Sequence, residues 1–166
     1  MEQPAPRAAP SPDRETAARD GDHHALRLWL RLFTCTQLIE RRVRARLRER
    51  FDTTLPRFDL MSQLFRYPAG LRMKELSRHL MVTGGNVTGI VDQLEREGLV
   101  ERADEPADRR AWRVRLTRAG RRGFAEMARE HEVWIAGLLA GLTRREHAEA
   151  YRLLGRVKRV TLEAGS

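Results

Sequence analysis

Between residues 99 and 116 the apolar residues stop recurring every three or four positions and begin to recur every two. Trp112, Val114 and Leu116 alternate with Arg113 and Arg115, the period of a half-buried strand. Leu99-Val100-Glu101-Arg102 offers a second short strand, and the polar stretch from Ala103 to Ala111, interrupted by Pro106, joins the two as a β-hairpin with a long charged tip. On both sides of this segment the period is helical. That switch confines the chain to a mainly α fold with one hairpin set directly behind a helix.

The helices in front of the hairpin are short and closely spaced. Leu55-Pro56-Arg57 opens one, with proline suited to a first helical turn. Phe58, Met61, Leu64 and Phe65 form its inward stripe, and Pro68-Ala69-Gly70 closes it. Met73–Leu80 is a second, with Met73, Leu76 and Leu80 inward. After Met81-Val82, Thr83 is a candidate N-cap for a third helix, about Gly84 to Glu97, with Val87, Ile90, Val91 and Leu94 inward. Gly98 ends that helix in the position where a left-handed residue is expected. Two short helices, a tight glycine-containing turn and a following hairpin match a helix-turn-helix with a wing, an arrangement that sends its second helix into the DNA major groove.

Longer helices flank this unit. Leu26, Trp29, Leu30, Phe33, Leu38, Ile39, Val43 and Leu47 mark one from His23 to about Arg50, and its last part, Glu40–Arg50, holds six arginines. Behind the hairpin, Thr117 caps a helix with Phe124, Met127, Ala128, His131, Trp134, Ile135 and Leu138 inward. Thr143 and Glu146 form a capping box that opens the last helix, carrying Ala148, Tyr151, Leu154, Val157 and Val160. Residues 1–21, with four prolines and no large apolar residue beyond Met1, read as a disordered tail. The expected organisation is this tail, an N-terminal dimerisation helix over 22–54, a winged helix-turn-helix lobe over 55–117, and C-terminal dimerisation helices over 118–166.

Charge narrows the partner. The formal net charge is +9, carried by 30 arginines and 2 lysines, which points first to nucleic acid and second to an anionic membrane surface. No apolar run approaches the length of a membrane span. The start of the chain lacks the order of a secretory signal. A single cysteine, Cys35, allows no internal disulfide, so the expected setting is the cytoplasm, with no membrane partner.

In order and spacing, Leu55-Pro56-Arg57-Phe58-Asp59, Lys74-Glu75-Leu76-Ser77, Gly85-Asn86-Val87-Thr88-Gly89, Leu94-Glu95-Arg96-Glu97-Gly98-Leu99-Val100, Asp108-Arg109-Arg110 and Leu116-Thr117-Arg118-Ala119-Gly120 resemble the MarR family of bacterial transcription regulators. With the flanking helices, the resemblance covers about residues 23–163. It implies an obligate homodimer, intertwined through the first and last two helices. It also implies repression from an inverted-repeat operator in double-stranded DNA, relieved by a small aromatic effector.

Within that resemblance the outward face of Gly84–Glu97 is the reading surface. Asn86 and Gln93 carry amides able to pair with adenine, Thr88 stands beside them, and Thr83 and Gly85 lie at the helix start. Gly89 departs from the family, many of whose members carry an arginine there. Lys74, Ser77 and Arg78 are phosphate candidates, which position without specifying. Arg110, with Arg109 and the partner carboxylate of Asp108, matches the arginine that the family places in the minor groove. For the effector, Trp29, Phe33 and Thr36 recur at i, i+4 and i+7 on the first helix. His131 and Trp134 lie on the long helix, Phe58 and Met61 close the opposite wall, and Arg46 would balance a carboxylate. Plain core packing explains the same aromatic spacing. The Gly-Asn-Val-Thr-Gly segment looks like family branches tied to aromatic acids or their coenzyme A thioesters.

Rival chemistry finds little purchase. His23, His24, His79, His131, His147 and Cys35 show no ligand or nucleophile-base spacing, so no enzyme, metal or cofactor is expected. Two other regulators remain open, one without an effector and one controlled by oxidation of Cys35. Against the second, Arg31 is the one basic residue within a turn of Cys35, and a buried, inert thiol is the expectation.

Overall fold

The computed structural model describes residues 23–80, 84–105 and 108–164, with backbone alone at 84–86, 104–105 and 108–111. The tail expected at 1–21, the N-cap at Thr83 and Pro106 lie outside the described residues. The element order is α1 (His24–Phe51), α2 (Leu55–Arg66), β1 (Leu71–Arg72), α3 (Met73–Leu80), α4 (Gly84–Arg96), β2 (Val100–Glu105), β3 (Asp108–Leu116), α5 (Arg118–Leu138) and α6 (Arg144–Ala164). This is a mainly α winged helix-turn-helix fold. The described residues divide into two compact units, one ending at Arg42 and the other beginning at Val43.

The local signals produce the expected ends. Pro56 sits in the first turn of α2, where a missing N–H costs nothing. Gly98 adopts φ +69°, which lets the chain leave α4, and Leu99 N–H donates to the Leu94 carbonyl at 2.9 Å. Thr117 caps α5, its Oγ1 accepting from Gly120 N–H at 3.0 Å. The capping box of α6 closes in both directions: Thr143 N–H donates to Glu146 Oε2 at 2.7 Å, and Glu146 N–H to Thr143 Oγ1 at 3.3 Å. The Thr143 N–H, together with the Thr143 hydroxyl that donates to the same Oε2 at 2.7 Å, holds the Glu146 carboxyl below its ordinary range.

The sheet departs from the expected hairpin in two ways. The stretch Ala103–Ala111 is not a long loop. The antiparallel ladder continues from Val100↔Leu116 to Glu105↔Asp108, with an irregularity between Asp104 and Glu105. Backbone pairing carries these polar residues into the strands without any apolar alternation to announce them. The sheet also holds a third strand, β1, which pairs with β3 through Leu71↔Val114 and Arg72↔Arg113, giving the order β1-β3-β2.

The core of the second unit lies beneath this sheet. Leu60, Leu64, Leu76, Val87, Val91, Leu94 and Val114 are fully buried, from α2, α3, α4 and β3. Leu60 takes an inward place that the α2 stripe did not assign to it. Phe58, Phe65, Phe124 and His131 form an aromatic ladder between α2 and α5, with centroids 5.3 Å apart for Phe58–Phe124, 5.0 Å for Phe65–Phe124 and 4.9 Å for Phe58–His131. Each helix contributes an i, i+7 pair, which is the spacing that brings rings onto one stripe. Val43 and Leu47 are the buried residues of α1, whereas α6 buries none of its residues, and Tyr151 is 85% exposed. Cys35 is exposed, not buried as expected, because it lies on the half of α1 that precedes those two residues.

Candidate nucleic-acid interface

The interface starts from α4. Val87, Val91 and Leu94 anchor one side of the helix in the core, so the opposite side must face outward. Thr88, Gly89, Gln93 and Arg96 are exposed there. Gly85 and Asn86 lie in the first turn of α4, and the Asn86 side chain lies outside the described residues. On α3, Lys74 and Arg78 are exposed. Ser77 is half-buried and donates to the Met73 carbonyl at 3.1 Å, so its hydroxyl proton is engaged within the helix. Asp108, Arg109 and Arg110 open β3 at the far end of the hairpin, with their side chains outside the described residues.

A clamp that the sequence reading did not single out joins helix to wing. The Arg102 guanidinium on β2 forks to two carboxylates on α4, Nη2 to Asp92 Oδ1 and Nη1 to Glu95 Oε2. Asp92 and Glu95 are three residues apart and so share one face of the helix. Two carboxylates on one planar fork fix direction as well as distance, which sets the angle between the helix and the strand. A second tie runs from Arg57 Nη2 on α2 to Glu97 Oε2 just past α4, and the buried Arg57 Nε has no hydrogen-bond partner among the described residues. The spacing of Asp92 and Glu95 was visible in the sequence, but their partner was one arginine among 30.

On the outer face of the sheet, Arg115 Nε donates to Glu101 Oε1 at 2.6 Å, and Arg113 Nη1 donates to the Gly70 carbonyl at 3.0 Å. The inner face carries Val114 and Leu116, both buried, and then Trp112, which is 52% exposed. The Tyr67 and His79 rings meet at a tilt of 34° near the end of α3, with centroids 5.3 Å apart.

The residues read as an effector site fall into two groups. In the first unit, Trp29 and Phe33 stack at 5.6 Å, and Trp29 is 56% exposed. Thr36 Oγ1 donates to the Leu32 carbonyl at 2.9 Å. In the second unit Phe58, Met61 and Trp134 are buried, and the Arg46 guanidinium lies over the Trp134 ring, 5.8 Å from its centroid. Burial pushes the His131 imidazole below its ordinary value. Among the described residues, no group of three His, Cys, Asp or Glu is placed to hold a metal ion, and no helix is long and apolar enough to cross a membrane.

Comparison with known proteins agrees with this architecture. The MarR family model matches residues 53–112, from the start of α2 into β3. The chain is similar to the transcriptional activatory protein BadR of Rhodopseudomonas palustris, 30% identical over 63% of this chain and 60% of the relative. It thus spans less than two thirds of that curated relative. A MarR family transcriptional regulator from Silicibacter pomeroyi is 32% identical, with a TM-score of 0.71 over 89% of this chain and 100% of the other. FabT of Streptococcus pneumoniae, solved in complex with DNA, is 25% identical, with a TM-score of 0.71 over 84% of this chain and 99% of FabT. A helix-turn-helix braced against an arginine-rich wing, an identity above 30% across a whole solved regulator and the family match over the same lobe converge. The chain belongs to the MarR family of transcriptional regulators.

Proposed function

We propose that the chain works as a homodimer that binds an inverted-repeat operator in double-stranded DNA and represses transcription until a small aromatic carboxylate, or its coenzyme A thioester, releases it. The observation that carries the DNA reading is α4 itself. Its inner side is locked in the core, its outer side is exposed, and Arg102 ties it to the hairpin whose far end bears Asp108, Arg109 and Arg110. In this reading Asn86, Thr88 and Gln93 read bases from the helix, with Thr83 and Gly85 at its start. Lys74, Ser77 and Arg78 hold phosphates, and Arg110 enters the minor groove with Asp108 aiming it.

The dimer reading is supported by α6, whose Tyr151, Leu154, Val160 and Leu162 are exposed although the helix is 21 residues long. A run of large apolar side chains facing water is the mark of a surface that another molecule covers. A second copy of the chain is the occupant that a two-fold operator requires. The effector reading is supported by the Trp29–Phe33 stack and by Arg46 over Trp134, which offer aromatic faces and a cation. The mechanism is a population shift: a ligand that favours a different spacing of the two recognition helices opposes DNA binding by its differential affinity.

A second reading, activation in place of repression, is favoured by the name of the R. palustris relative. Control by Cys35 oxidation gains an exposed thiol, and it would need an external thiol partner because the chain has one cysteine.

Band-shift titration of two variants tests the DNA reading. Asn86→Ala is expected to cost about 1–3 kcal/mol on the preferred site and to flatten sequence preference, whereas Lys74→Ala weakens all duplexes alike and lowers the salt slope. An unchanged preferred-to-random affinity ratio in Asn86→Ala would remove it as a reading residue. For the effector, a thermal-shift panel of aromatic acids and their thioesters comes first, because a ligand of the native state raises the melting temperature.

A further inference from the structure

Trp112 is left over from the core. It stands on the inner face of β3 in line with Val114 and Leu116, which are buried, yet 52% of it is exposed. Its cross-strand partner is Asp104, two residues beyond Arg102 on β2. Arg102 on that same face reaches Asp92 and Glu95 of α4, so the face is turned toward the recognition helix. α4 ends at Arg96 and β2 begins at Val100, and by Arg102 the strand already reaches back to Glu95 and Asp92, so it runs back along the helix. Two further strand residues advance about 6.6 Å, which corresponds to about four helical residues at 1.5 Å each. Trp112 therefore stands farther from the C-terminal end of α4 than Arg102 does, toward the exposed Thr88 and Gly89.

That position has a consequence on DNA. A helix in the major groove and a hairpin tip in the adjacent minor groove are separated by one sugar-phosphate ridge. The ridge must pass between the helix and the tip, over the inner face of the wing. An indole suits such a ridge: its ring can cover deoxyribose carbons, and its Nε1–H can donate to a phosphate oxygen. The net charge of +9 draws the polyanion to the protein, while a neutral ring excludes water at the ridge itself.

We propose that Trp112 is a DNA-backbone contact, seated on the sugar-phosphate ridge between the groove read by α4 and the groove entered by the wing. The proposal rests on the DNA-binding reading above and adds a neutral, positioning contact to its cationic ones.

The test uses the full chain and its Trp112→Ala and Trp112→Phe variants. Affinity for a selected operator and for a random duplex is measured by fluorescence anisotropy across a salt series, with thermal melting as the folding control. Trp112→Ala is expected to bind both duplexes about tenfold more weakly, the scale of one lost hydrogen bond to a charged group. Trp112→Phe, which keeps a ring but loses the N–H, should fall between. The salt slope should stay at the wild-type value, because a neutral side chain releases no counterion. A lower slope in Trp112→Ala would mean that the wing arginines have left their phosphates, so Trp112 merely props the wing and the contact is overturned. Wild-type affinity in Trp112→Ala overturns it as well, leaving the DNA reading intact. Failure of the wild-type chain to bind any duplex would overturn both.

Discussion

Gly89→Ala adds one methyl group to the exposed face of α4, and its effects on stability and on DNA binding should have opposite signs. A Cβ built at Gly89 meets nothing within 4 Å, and the residue lies inside the helix, five positions from its start. Nothing within the chain therefore resists the methyl. Alanine is preferred over glycine in a helix interior by about 0.5–1 kcal/mol, so the free protein should gain about that much. For a chain of this size that corresponds to a rise of about 1–3 °C in Tm. Why the chain forgoes this stability has a physical answer in the proposed complex. With no side chain at Gly89 the helix backbone can lie close to base edges, and a methyl group there holds it away. A misfit of that kind is on the scale of one mismatched base pair, about 1–3 kcal/mol, or about 5- to 150-fold in operator affinity. Calorimetric melting of the free protein and anisotropy titration with operator and scrambled duplexes would read both effects on one preparation. A variant that is more stable and binds operator as tightly as wild type would refute the close-approach argument. A variant that melts lower would refute the placement of Gly89 on an open face.

Three further outcomes follow from the geometry. Arg102→Ala should cost only about 0.5–1 kcal/mol of stability, because its carboxylate partners are partly solvated, yet lower operator affinity more than random-duplex affinity by freeing the wing angle; equal losses on both duplexes in the same titrations would count against the clamp. Gly120→Ala should destabilise by about 3 kcal/mol or more in denaturant melts, since its Cβ would fall 1.9 Å from the Leu99 carbonyl oxygen, which also accepts the Thr117 N–H at 3.1 Å. His131 has a folded pKa lowered by burial, so the unfolded chain binds the proton more readily; stability should be full above about pH 6.5, decline as the pH falls toward the lowered value, and lose that part of its pH dependence in His131→Gln.

What was legible in the sequence was what neighbouring residues carry among themselves. Thr117 with Gly120, Thr143 with Glu146, Pro56 and Gly98 each act within one turn, and the structure places every one of them as a cap or terminator. The inward stripe of α4 is equally local, and Val87, Val91 and Leu94 are fully buried. β1 had no such signal, because two residues become a strand only by pairing with Arg113 and Val114 some forty positions away. The extension of β2 and β3 toward the tip was hidden for the same reason: Asp104 and Glu105 contribute backbone, not an apolar pattern. The site divides likewise. The reading face of α4 follows from periodicity, while the Arg102 clamp needs the fold to bring β2 back along the helix. The first-helix aromatics show the limit of periodicity. A stripe such as Trp29 and Phe33 is written in the same way whether it meets the chain's own core or another molecule, and here both rings are substantially exposed.

The most direct measurement of the central claim is selection of bound duplexes from a random-sequence DNA library by the full chain, followed by the mass of the complex on the winning sequence. The account predicts an inverted repeat with half-site centres about one helical turn apart, bound by two copies of the 19.2 kDa chain, with the Asn86→Ala variant losing the enrichment. Recovery of no sequence above background, or of one chain bound per site without two-fold symmetry, would contradict it.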